Sequence, residues 1–142
     1  MGRILALDFG TKRTGIAVTD ELQLIASGLT TVSTDTLLDF LKDYFNNENV
    51  ELVLVGLPVQ RDNAPSENEE YILKFLERFS QLFPGMVVKR VDERFTSKMA
   101  FQTMIDSGLG KKKRKNKALV DQISATIILQ SYLQKKTSEG TR

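Results

Sequence analysis

Apolar residues run unbroken from Ile4 to Leu7, and the run ends on Asp8. A block with no polar interruption predicts a strand buried on both faces. The stretch RTGIAVTD (13–20) predicts a second strand, reached through the tight link Gly10-Thr11-Lys12. LIASGLTTVS (24–33) predicts a third, with Gly28 as a bulge or kink. Links this short imply an antiparallel meander. The pattern then changes period. In TDTLLDFLKDYFNNEN the apolar positions are Leu37, Leu38, Leu41, Tyr44 and Phe45, the spacing of a helix, with Thr34 or Asp35 as its cap. VELVLVGLP (50–58) is again apolar on both faces and reads as a strand ended by Gly56 and Pro58.

A second helix is expected over 66–83, where Ile72, Phe75, Leu76, Phe79, Leu82 and Phe83 form one stripe. Ser66 and Glu69 have the spacing of a capping box. Pro84-Gly85 breaks the chain, and MVVKRVDE (86–93) predicts a fifth strand. A helix from 96 to 107 ending at Gly108, and a last one over 118–136, complete the order βββαβαβαα. Strands separated by helices pair in parallel, and right-handed crossovers place helices on the sheet faces. The expected fold is α/β: a five-stranded mixed sheet, antiparallel for its first three strands and parallel thereafter, with helices on both faces. One domain over 1–137 is expected, followed by a polar tail at 138–142.

Composition narrows the chemistry. The chain has 142 residues, no Cys and no His. Disulfides, thiol nucleophiles, Ser-His-Asp triads and the usual zinc sites are therefore excluded. Carboxylates remain, and they bind hard cations such as Mg²⁺ or Mn²⁺. No stretch has the length of a membrane span and no signal-peptide pattern opens the chain, so a cytoplasmic protein is expected. Net charge is only +2, but KKKRKNK at 111–117 holds six cations in seven positions. Without it the chain carries 14 basic against 18 acidic residues, or −4. Such a cluster is either an electrostatic footprint for phosphates or a solvated loop.

Three carboxylates stand where apolar residues would be expected. Asp8 ends a buried strand, at the edge where α/β sheets place ligands, and Gly10 gives room beside it. Strand alternation puts Glu93 with Val87 and Val91, and Asp92 with Val88 and Arg90. Either acid could serve by alternation, with Glu93 favoured; a strand-end ion pair with Arg90 or Arg94 is the structural alternative. Asp121 shares a helical face with Ala125, Ile128 and Tyr132. Its structural alternative is an acid stabilised by the helix dipole. Carboxylates gathered from three segments repel each other unless a divalent cation sits among them. Two such cations ~4 Å apart can activate water and stabilise the leaving oxygen of a phosphodiester.

The stretches LALDFGTKRTGIAV, LVLVGLP, VDERFTS and VDQISATIILQSYL span nearly the whole chain. In that order they resemble the YqgF family, also called RuvX-like, of the RNase H-like fold. The resemblance implies a metal-dependent nuclease that processes the 5′ end of pre-16S rRNA; an older reading of the family is a Holliday junction resolvase. It implies Asp8, Glu93 and Asp121 as catalytic and metal-holding acids. It also implies Arg13 and Arg94 as arginines that contact phosphate or orient those acids. Lys111, Lys112, Lys113, Arg114, Lys115 and Lys117 would hold the nucleic-acid backbone. The expected partner is structured RNA, or branched DNA, bound by a monomer or weak homodimer. The chain departs from the family after GLP, where Gln60, Arg61 and Asn63 replace an Asn and a Met-Asp-Gly run. Two other classes compete. LDFGTKRTG also looks like the phosphate-binding turn of actin-like ATPases, but those need two domains. A non-catalytic RNA-binding scaffold would need only the basic loop.

Overall fold

A computed structural model describes residues 2–57, 67–92 and 117–140. Strand β1 (Arg3–Phe9) is followed by β2 (Arg13–Thr19) and β3 (Ala26–Ser33). A 3-10 turn (Thr34–Thr36) leads into helix α1 (Leu37–Asn47), then strand β4 (Val50–Leu57). Helix α2 (Glu67–Leu82), strand β5 (Val87–Asp92) and helix α3 (Lys117–Gly140) complete the described chain. The five strands form one sheet in the order β3-β2-β1-β4-β5. The β1–β2 and β2–β3 pairs are antiparallel, and β1–β4 and β4–β5 are parallel. The mixed sheet expected from the hydrophobic pattern is thus present. The helix expected over 96–107 and the Ser66 cap lie outside the described residues.

Alternation along β1 sorts two cores onto two faces. Leu5, Leu7 and Phe9 pack with Leu37 and Leu41 of α1 and with Ile72, Phe75 and Phe79 of α2. Aromatic rings tie this layer together: Phe9 and Phe75 lie 5.2 Å apart, and Phe79 and Phe83 4.9 Å. Such pairs add about 0.5–1.5 kcal/mol each beyond burial. Ile4 and Ala6 face the other way, with Ala17, Leu52 and Leu54, against Ala125, Ile128 and Leu129 of α3. Small residues on this face let α3 lie close to the sheet. A Cβ added at Gly28 would stand 2.6 Å from the Gln122 side chain. The β2–β3 register shifts between Ile16 and Ala17, opposite Gly28, which places the expected bulge there.

Several local expectations give way to other contacts. β3 begins at Ala26, not Leu24, because residues 20–25 form a turn around one carboxylate. Asp20 accepts hydrogen bonds from the backbone N–H of Leu22 at 3.2 Å, Leu24 at 2.8 Å and Ile25 at 2.8 Å. Gln23, with φ 60°, is buried inside this turn. Its amide nitrogen donates to the Gly2 carbonyl at 2.7 Å and to Glu51, and its oxygen accepts from Lys136 at 2.6 Å. Leu22, Leu24 and Ile25 are left exposed. No side-chain cap bond is made at the start of the 3-10 turn or α1. The Thr34 hydroxyl instead donates to the Gly10 carbonyl at 2.6 Å, pinning the β1–β2 link. Glu69 accepts two bonds from Arg90, at 2.6 and 3.1 Å. α3 continues to Gly140, past the helix end expected at 136; nothing in the sequence there, such as a proline, stops it.

Candidate active site

Asp8 lies one residue before the C-terminal end of β1 and is half-buried. Its partner across the antiparallel ladder is Gly15 of β2. Directly opposed residues project to the same face, so Asp8 and Gly15 both lie on the α3 side. Gly15 touches α3: a Cβ built there would overlap the Asp121 backbone carbonyl. Hydrogen in place of a side chain is therefore what lets the start of α3 settle beside Asp8. This close approach brings Asp8 and Asp121 to the same end of the same sheet face, from positions 113 residues apart in sequence.

Arg13 completes this corner. It opens β2, and its Nε donates to Asp121 Oδ2 at 3.0 Å. The pair is partly exposed, with 38% of the Arg13 side chain and 23% of the Asp121 side chain accessible. In that setting it contributes little to stability, about 1 kcal/mol at most. Its effect is on orientation: one Asp121 oxygen is held by a fixed donor. On α3 the Thr31 hydroxyl also donates to the Ala118 carbonyl at 2.5 Å, fixing the helix start to β3.

Glu93, Arg94 and Lys111 to Lys115 lie outside the described residues. Lys117 opens α3, but its side chain is outside them too. The described part of β5 nonetheless settles the parity of the strand. Val91 packs with the α3-side core and Val88 with the α1–α2 core. Asp92 therefore follows Val88 and Arg90 toward the face away from Asp8 and Asp121. Arg90 is not a strand-end partner for these acids. Its guanidinium is taken by Glu69 and by the carbonyls of Val55 and Gly56, at 3.2 and 2.8 Å.

The donor set fits a hard divalent cation. Two carboxylates from separate segments share one corner, in a chain that has no His or Cys to offer as ligands. Among the described residues no group of three or more potential ligands is assembled. Mg²⁺ commonly takes only one or two protein carboxylates, filling its shell with water and substrate phosphate.

The residue that sequence reasoning passed over is Gly15. Its signal was available: a glycine inside an otherwise β-branched and apolar strand marks a close approach of another backbone.

A mixed sheet of this order is the RNase H-like architecture, here with an acid near the end of its first strand and another on the helix crossing it. The crystal structure of the fowlpox virus Holliday junction resolvase shares the fold, with a TM-score of 0.50 at 16% identity, over 94% of this chain and 99% of that one. The family model described as RuvX, Holliday junction resolvase, matches residues 2–135. The chain belongs to the RuvX family, as its motifs led us to expect. A relative from Flavobacterium johnsoniae is 65% identical over 96% of this chain and 99% of its own length. One from Christiangramia forsetii is 67% identical over 94% and 98%. Both bear the name "Putative pre-16S rRNA nuclease".

Proposed function

We propose that this protein is a divalent-metal-dependent nuclease that hydrolyses phosphodiester bonds in structured RNA, trimming the 5′ end of pre-16S rRNA. The observation that carries the reading is the convergence of Asp8 and Asp121 across Gly15. Family membership and the relatives' names supply the substrate class. Asp8 and Asp121 would hold the Mg²⁺ or Mn²⁺, with Glu93 as third acid. The β5 parity supports Glu93 over Asp92, because Asp92 falls on the side of Val88 rather than that of Val91. The cation, when bound, neutralises the carboxylates and activates water for attack on phosphorus.

This chain's own residues do the positioning. Arg13 keeps Asp121 in one orientation. The short β1–β2 link, tied by Thr34, keeps Arg13 over the corner. Arg94 and the 111–117 lysines and arginine would hold phosphates flanking the cut. The protein would work in the cytoplasm; none of its described helices is long and apolar enough to cross a membrane.

The test compares wild type with Asp8→Asn in Mn²⁺ and Mg²⁺, on a 5′-extended rRNA precursor fragment and on a four-way DNA junction. Cleavage of the RNA alone, lost in the variant, is the expected result. The family description favours a second reading, a junction resolvase. Paired symmetric cuts in the junction would establish it, and would require a two-fold dimer. Binding of RNA by both proteins without cleavage would leave a scaffold.

A further inference from the structure

α3 lies mainly over β2, β1 and β3, so it leaves the outer part of the sheet face less covered. Between α3 and the strand β5 a cavity of about 430 Å³ opens. Its lining is basic: Lys89 from β5, and Lys135 and Lys136 from α3, with Ser131 and Tyr132 between them. None of these lysines makes an ion pair among the described residues. Lys136 is already tied to Gln23. Lys89 is held in place but not neutralised. Its ammonium stands 5.7 Å from the centre of the Tyr132 ring and 3.4 Å from the Tyr132 hydroxyl. Stacking a cation on a ring limits its rotamers without cancelling its charge, so little entropy is left to lose when an anion arrives. Arg90 and Asp92 also border it from the β5 edge.

Position decides what this groove takes. Lys89 and Val91 point to the face that carries Asp8 and Asp121. α3 starts at that corner and carries its lysines away from it. Ser131 and Lys135 come 10 and 14 residues after Asp121, which is about 15 and 21 Å along a helix at 1.5 Å per residue. That span matches about five to eight steps of an A-form RNA strand, whose axial rise is ~2.8 Å.

We propose that the β5–α3 groove binds the phosphodiester backbone of a double-helical RNA arm, about five to eight steps from the bond placed at Asp8 and Asp121. This deepens the nuclease reading and rests on it for the position of the cut. The contact is sequence-independent, and none of its residues belongs to the 111–117 run. Its consequence is a requirement for arm length: a short arm ends before it reaches Lys89 and Lys135.

The experiment measures binding of RNA hairpins with arms of about four and about ten base pairs, the lengths set by the span above. The proteins carry Asp8→Asn so that nothing is cut, with and without Lys89→Gln and Lys135→Gln together. Both lysines are exposed, and an unchanged melting temperature shows that the fold is kept. On the long arm, the double change should weaken binding several-fold and lower the log–log salt slope by about 1–2. On the short arm it should do neither. Equal losses on both arms, or no loss on either, would overturn the groove. The two readings fail separately. Wild type that never cleaves, with the arm-length effect intact, refutes the nuclease and supports the groove. Cleavage with an unchanged salt slope refutes the groove alone.

Discussion

Gly15 is where one atom decides the site. It is the ladder partner of Asp8 and the floor for the Asp121 backbone. Gly15→Ala puts a methyl group into a backbone carbonyl, which no rotamer change can relieve. Overpacking of this kind costs about 1–3 kcal/mol, and relief must come from α3 lifting off the corner. Thermal unfolding should fall by several degrees. Cleavage should fall further than stability explains, because Asp121 moves away from Asp8. A variant that keeps both melting temperature and turnover would show that the close approach is not needed. Asp8 and Asp121 stood out in the sequence because each interrupts an apolar pattern. Gly15 did not: a glycine within a strand marks a close approach, but not which backbone makes it.

At the scale of elements, the 20–25 turn shows a local structure taken over by one acid. Hydrophobic Leu24 and Ile25 suggest strand, yet their amides bond to Asp20 instead. The Ile25 amide above all, then those of Leu24 and Leu22, hold the Asp20 carboxyl below its ordinary value of 3.8. A carboxyl depressed in the folded state favours folding above its unfolded value. That contribution is lost as pH falls through the lower, folded value. In an NMR titration the amide protons of Leu22, Leu24 and Ile25 should therefore shift together, with a midpoint below 3.8. A midpoint at or above it would mean the three bonds do not persist in solution. The same competition explains why Thr34 does not cap α1. Thr34 serves the β1–β2 link and Glu69 serves Arg90, and both partners come from distant segments that no local motif reveals.

For the whole molecule, the reading requires that metal binding belong to the folded state. The unfolded chain has no gathered carboxylates, so Mn²⁺ should stabilise by mass action, about 2.7 kcal/mol at 100 times the dissociation constant. For a domain of this size that is a rise of roughly 5–10 °C in melting temperature. Chelation should reverse it, and Asp8→Asn should abolish most of it. An equal rise in wild type and variant would place the metal elsewhere.

Hydrophobic periodicity by itself determined the order of the described elements, the two-faced sheet and the positions of Asp8 and Asp121 as acids out of place. Those features are written in spacing along the chain, period two for strands and near 3.6 for helices, and spacing is what a sequence records. The tertiary structure alone decided that Gly15 is the contact that joins the two acids. It also decided that Arg13 answers Asp121, that Arg90 is committed to Glu69, and that three scattered lysines share one groove. Each is a meeting of residues far apart in the chain. Which distant residues meet is set by how closely the sheet and α3 can approach, a matter of atomic volume that no local pattern carries.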